Sequence, residues 1–180
     1  VTSQGIILID SGYADRVESE VVEGLRKVGL DPANVKYVLV GHGHGDHFGG
    51  SSYFQERYGA KVGLTAADWD VMYPANPPTN AANQVKPRRD LVLAEGQPLT
   101  LGDTTVSLSL IPGHTPGTLG LVFPVRDNGA PHVAALWGGG VGWVRVGAVP
   151  RSIRYRDRLH DAGPQRERLV GEFRAVVERA

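Results

Sequence analysis

The stretch that most constrains this chain is a short buried strand that runs straight into a cluster of imidazoles. Val35 to Val40 reads as the strand, and Gly41-His42-Gly43-His44-Gly45-Asp46-His47 follows it without a break. In an extended segment leaving a strand, residues two apart point the same way, so His42 and His44 can present their rings to one ion. Asp46 and His47 are adjacent on a glycine-relaxed backbone and can turn toward a second point nearby. Gly41, Gly43, Gly45, Gly49 and Gly50 are expected to remove Cβ obstruction and to supply the φ values of a tight loop. The chain has no Cys, so any metal is held by imidazole and carboxylate, a set that suits Zn²⁺ and tolerates iron or manganese. The competing reading is a Gly/His-rich surface loop or a tag. A tag lies at a terminus and lacks the intervening Asp, whereas this run leaves a buried strand.

A catalytic zinc takes three protein ligands and keeps one position open, so the cluster needs a third member from elsewhere. Ile111-Pro112-Gly113-His114-Thr115-Pro116-Gly117 offers one, with His114 in a Pro/Gly turn at the end of a strand. Taken alone, such a His is more often structural. Two strand ends that each deliver a His-bearing, Gly-rich loop can nevertheless meet at one edge of a sandwich.

The pattern along the chain supports that architecture. Gly5 to Asp10 reads as a strand ending in the turn Asp10-Ser11-Gly12. Val17, Val21, Leu25 and Val28 then recur at helical spacing, with a stop at Gly29. Tyr53, Phe54 and Tyr58 mark a helix ended by Gly59, and Lys61 to Leu64 a further strand. Thr65 and Asp68 resemble a capping box for a short helix carrying Trp69 and Met72. Pro74 to Arg89 holds four Pro and three Asn and reads as a surface loop. Beyond it the period changes to two. Val106, Leu108 and Leu110 alternate with Thr105, Ser107 and Ser109, which predicts a strand with one buried face. Strands over Leu119–Val125 and Val133–Trp137 follow, joined at Asp127-Asn128-Gly129, and the chain ends in helical patterns at Arg151–His160 and around Leu169–Val177. Strand–helix alternation, then strands, then helices, suggests two packed sheets with helices outside, in a single domain spanning residues 1–180.

The motifs resemble those of the metallo-β-lactamase superfamily. His42-Gly43-His44-Gly45-Asp46-His47 matches its HxHxDH signature, and Gly113-His114-Thr115-Pro116-Gly117 is similar to its second metal motif. The opening Gly5–Gly12 run resembles the strand and Asp-bearing turn that precede the signature. Phe48-Gly49-Gly50, Arg89-Asp90 and Leu136-Trp137-Gly138-Gly139 look most like the β-lactamase subclass that uses only His and Asp ligands. The resemblance implies an α+β fold, the four-layer αβ/βα sandwich, in shortened form. It implies a first zinc on His42, His44 and His114, a contribution to a second from Asp46 and His47, and one or two Zn²⁺ ions in all. The activity it implies is hydrolysis of a carbonyl compound, a β-lactam first, by metal-activated water, with Asp46 orienting the nucleophile and passing a proton to the leaving group. A thioester, lactone or other ester hydrolase of the same fold is the alternative, and an inactive metal-binding remnant a third.

Three departures from the family pattern stand out. Full members carry further strands before the opening run. Their last His ligand, in a strand after the penultimate helix, has no counterpart, since His160 looks helical and His132 begins an ordinary strand. The Asp that bridges two metals in the glyoxalase and lactonase branches is absent near Gly138–Gly140. Trp143 and Arg145 are candidate substrate contacts, with core Trp and surface Arg as the plainer reading.

Bulk composition narrows the partners. Lys+Arg and Asp+Glu are 19 each, which gives no electrostatic reason to expect nucleic acid. Residues 141–180 are locally basic, nine Arg against five acids, read as solvated helix faces. No apolar run approaches the roughly 20 residues of a membrane span. The expected partner is a small carbonyl substrate, and the sequence leaves the oligomeric state open. The chain begins at Val1 without Met, which suggests that a preceding stretch was removed. A β-lactamase would act in the periplasm or be secreted.

Overall fold

The computed structural model describes residues 1–75 and 85–139, and the backbone of 143–146. Two sheets make the molecule's frame. The first is parallel, with strands β1 (Ile6–Ile9), β2 (Val35–Leu39), β3 (Lys61–Thr65) and β4 (Leu91–Leu93) side by side in chain order. Parallel neighbours need crossover connections, and short helices supply them. A helical segment, π-type over Val17–Val22 and then α1 (Glu23–Lys27), links β1 to β2. A single turn, α2 (Gly45–Phe48), followed by α3 (Ser51–Tyr58) links β2 to β3, and α4 (Ala66–Met72) leaves β3. The second sheet is an antiparallel meander of β5 (Leu99–Leu101), β6 (Thr104–Leu110), β7 (Leu119–Asp127), β8 (Ala130–Trp137) and β9 (Trp143–Val146).

Side chains alternate across a strand, and here the alternation sorts the apolar residues into two cores. Ile6, Val38, Val40, Val62 and Leu64 face the helices and pack with Val17, Val22, Phe54, Trp69 and Met72. Ile7, Ile9, Tyr37 and Leu39 face the other way, onto Leu108, Leu119, Leu121 and Leu136 of the antiparallel sheet. Each fully buried side chain of this kind is worth about 1.5–3 kcal/mol. The helical layer expected outside the antiparallel sheet, from Arg151–His160 and Leu169–Val177, lies outside the described residues.

Several boundaries fall where the local chemistry requires. Gly59 (φ 70°) closes α3 in the left-handed conformation, with its N–H on Gln55 O and that of Ala60 on Phe54 O. Gly29 (φ 77°) does the same after α1. Asn128 (φ 48°) and Gly129 (φ 84°) both take positive φ, the type I′ turn whose twist suits a two-residue hairpin. The β7–β8 hairpin is therefore longer than expected, running to Asp127 and back from Ala130.

Two expectations need correction. The alternation in β6 holds through Leu108 and then inverts, leaving Leu110 40% exposed and Ser109 buried. Leu110 lies beyond the stretch of β6 that pairs with β5, which runs only from Thr104 to Val106. The glycines of the signature loop do not supply unusual φ values either, since none of Gly41, Gly43, Gly45, Gly49 and Gly50 has positive φ. The relief of Cβ obstruction, the other half of the expectation, is what requires Gly41, Gly43, Gly49 and Gly50. A Cβ on Gly41 would lie 2.7 Å from Gly138 Cα, and one on Gly50 would meet Ser11 O and Val17 at 2.5 Å.

Candidate metal centre

The Gly41–Gly138 contact brings the two sheets together at their edge. Leu119 N–H donates to Gly41 O at 2.9 Å, and Gly138 N–H to Leu119 O at 2.8 Å, so the end of β2 is stitched to the ends of β7 and β8. The loops that leave these ends carry His42 and His44 on one side and His114 on the other. All three rings meet. His42 Nε2 lies 3.1 Å from His44 Nδ1, which lies 3.1 Å from His114 Nε2. His42 is fully buried, while His44 and His114 are open to solvent.

These nitrogens fit a tetrahedral cation. Zn–N bonds of about 2.0–2.1 Å put neighbouring ligand nitrogens roughly 3.3 Å apart, close to what the loops enforce. The tautomers fit as well. His42 Nδ1–H donates to Gly138 O at 2.5 Å, which leaves its Nε2 as a bare lone pair facing the other rings. His44 Nδ1 cannot bond both neighbours through one proton, so lone pairs converge without enough hydrogens to satisfy them. Burial lowers the pKa of His42 against the opposing pull of Gly138 O, and the neighbouring histidines lower it further. Burial also lowers that of His114, with His44 and His47 acting in the same sense. Both rings are thus held in the neutral form that binds metal.

Asp46 and His47 sit on α2 and not on an extended loop, so a helical turn rotates them toward the other side of His42. His42, Asp46 and His47 form a second group whose donor atoms all lie within 4.8 Å of one another. The contact that orients His47 was not anticipated: its Nδ1–H donates to Asp10 Oδ2 at 2.8 Å, while Asp10 Oδ1 accepts Gly41 N–H at 2.8 Å. Burial would depress His47, but the hydrogen bond and the charge of Asp10, with Asp46 adding, carry its pKa upward. Asp10 (φ 56°) gains this position through the left-handed conformation at the end of β1. The sequence signal was present, an Asp-Ser-Gly turn closing a buried strand, but nothing in it named the partner.

His132 lies on β8 and belongs to neither group. His160 and Gly140 lie outside the described residues, as do the side chains of Trp143 and Arg145. Arg89 pairs with Asp70 at 3.5 Å, and Asp90 accepts Val62 N–H and Gln55 Nε2–H, which ties β4 to β3 and α3. Beside Asp46 a cleft of about 410 Å³ opens between Tyr13, Asp15, Phe48 and Val85. No helix among the described residues is long and apolar enough to cross a membrane.

With two sheets, flanking helices and an imidazole cluster at the shared edge, the chain matches the family model of the metallo-β-lactamase superfamily over residues 1–128 and belongs to that family. Its fold is the metallo-β-lactamase fold. Among solved structures it is similar to the FEZ-1 metallo-β-lactamase of Legionella gormanii, at 25% identity and a TM-score of 0.71, over 100% of this chain and 67% of that one. It is also similar to BJP-1, a subclass B3 metallo-β-lactamase of Bradyrhizobium japonicum, at 26% and 0.66, over 100% and 64%. Among curated proteins it resembles a hydroxyacylglutathione hydrolase of Acidiphilium cryptum, 31% identical over 63% of this chain, and one of Cereibacter sphaeroides, 34% over 51%. The matches span 40% and 30% of the length of those two relatives.

Proposed function

We propose that residues 1–180 form one domain of a zinc-dependent hydrolase that opens the amide ring of a β-lactam. The observation that carries the metal assignment is the convergence of His42 Nε2, His44 Nδ1 and His114 Nε2, from two sheets, at 3.1 Å spacings. Zinc at such a site supplies a Lewis acid and a water acidified to a pKa of about 7. The protein's own groups do the rest. Gly138 O and Asp10 hold His42 and His47 in fixed tautomers. Asp46, half exposed at the mouth of the cleft, takes a proton from the attacking water and gives it to the departing nitrogen as the carbonyl–nitrogen bond breaks.

Amide over thioester is favoured by the backbone at Gly138 and Gly139. A Cβ at Gly138 would lie 2.4 Å from Leu119 O, and one at Gly139 2.8 Å from Thr118 and 3.0 Å from His114. Neither position has room for the bridging carboxylate expected of a glyoxalase-like site. The thioester reading draws on the identity to the two hydroxyacylglutathione hydrolases. Elemental analysis of the purified chain, with turnover of a cephalosporin, a glutathione thioester and an acyl-homoserine lactone, separates the readings. The proposal expects bound zinc and cephalosporin hydrolysis. Thioester turnover alone would replace the substrate class, zinc without turnover would indicate a binding remnant, and absence of zinc would overturn the assignment.

A further inference from the structure

The sequence suggests Asp68 as half of a capping box, and only half of that box exists. Asp68 N–H does donate to Thr65 Oγ1, at 3.3 Å. The Asp68 carboxylate points elsewhere. Its Oδ2 accepts Gly43 N–H at 2.8 Å and the Thr115 hydroxyl at 2.7 Å, and its Oδ1 accepts Gly117 N–H at 2.8 Å. Gly43 lies between His42 and His44, and Thr115 follows His114. One side chain therefore grips both metal-binding loops, within a residue of three candidate ligands.

The surroundings are shaped for this grip. Asp68 is 1% exposed, and among the described residues no Lys, Arg or His forms an ion pair with it. A Cβ on Gly117 would stand 2.7 Å from Asp68 Oδ1, and one on Gly43 2.7 Å from Asp68 O, so both glycines clear the way for it. The second loop is braced to receive the bond: Thr118 Oγ1 lies 2.7 Å from Thr115 Oγ1 and accepts Thr115 N–H at 3.0 Å. A buried carboxylate with three donors and no cationic side chain is costly unless positive charge lies near. A cation held by the neutral imidazole cluster would supply that charge.

We propose that Asp68 is a positioning residue for the metal centre: it locks the His42–His44 loop to the His114 loop and sets the spacing of their nitrogens. The inference rests on the zinc reading above. It is distinct from that reading in what it predicts, because the wild-type chain binds zinc in either case.

The test is zinc affinity by chelator competition, with the absorption spectrum of the Co²⁺-substituted protein as a reading of ligand geometry. Asp68→Asn keeps the shape but cannot accept from all three donors. It is expected to lower zinc affinity about 10–100-fold, the usual range for an outer-shell partner, and to shift the Co²⁺ bands. Thr115→Val should move both readouts in the same direction, and Thr115→Ser, which restores the hydroxyl, should return them to wild type. Far-UV circular dichroism of the metal-free forms checks that each variant is folded. If Asp68→Asn does not fold, the Thr115 pair decides alone. Folded Asp68→Asn with wild-type affinity and an unchanged Co²⁺ spectrum would reduce Asp68 to a structural tie and overturn the proposal, as would Thr115→Val and Thr115→Ser that behave alike. Failure of the wild-type chain to bind zinc would overturn the zinc reading itself.

Discussion

Replacing Gly138 with alanine tests whether the joint between the sheets also tunes the metal centre. The added methyl would lie 2.4 Å from Leu119 O, 2.7 Å from Gly41 Cα and 2.9 Å from Gly41 O, all backbone atoms that cannot rotate aside. Ordinary carbon contacts begin near 3.5 Å, so the strand ends must separate by roughly 1 Å. Overpacking of this kind costs about 1–3 kcal/mol. For a chain of this size, each kcal/mol lowers the melting temperature by about 2–4 °C, so a drop of roughly 2–12 °C is expected. The same shift moves the carbonyl that holds His42 Nδ1–H, and loss of such a partner weakens metal binding about 10–100-fold. Thermal melts in a chelator isolate the packing cost, and zinc competition titration isolates the effect on His42. Gly24→Ala is the control. It lies within α1 with nothing within 4 Å of the new Cβ, so it should stabilise by about 0.4–1 kcal/mol. A Gly138→Ala protein that melts with wild type and keeps its zinc affinity would refute both the contact and its role.

Asp10→Asn leaves either His47 Nδ1–H or Gly41 N–H without an acceptor, at about 1–3 kcal/mol, nearer the lower end because Asp10 is only partly buried; urea unfolding measures it. Asp46→Asn should impair turnover more than zinc occupancy, which steady-state kinetics set beside elemental analysis would show. His114→Ala should abolish hydrolysis while the fold, read by circular dichroism, is kept. Gly129→Ala places a side chain at φ 84° in the type I′ turn, and denaturant unfolding should register a loss of about 1 kcal/mol or more.

The elements that announced themselves were those whose signal is local. Gly29 and Gly59 stop helices because only a left-handed residue closes them well, and Asn128-Gly129 makes its hairpin for a related reason. His42, His44 and His114 could be paired on paper because ligand chemistry demands a third nitrogen. The roles of Asp10 and Asp68 are not legible in the sequence because their partners lie 37 and 47 residues away, and a carboxylate gives no hint of which distant donor it will meet. For the signature glycines the expected relief of Cβ obstruction holds and the expected φ values do not. Their tightness arises from segments that local periodicity cannot place: Gly138 against Gly41, Asp68 against Gly43, Gly12 and Ala14 against Gly49, and Ser11 and Val17 against Gly50.

The division into two cores bears on the order in which the molecule assembles. Everything in the helix-side core lies between Ile6 and Met72, a contiguous run that can gather its own contacts as soon as it is synthesised. The inter-sheet core needs residues up to Leu136, and His114 travels with that later half. In a species where only that first run has folded, His42 and His44 would lack their companion, and the proposed zinc site would be complete only once the meander docks. Pulsed hydrogen exchange should show β1–β3 amides protected before those of β6–β8.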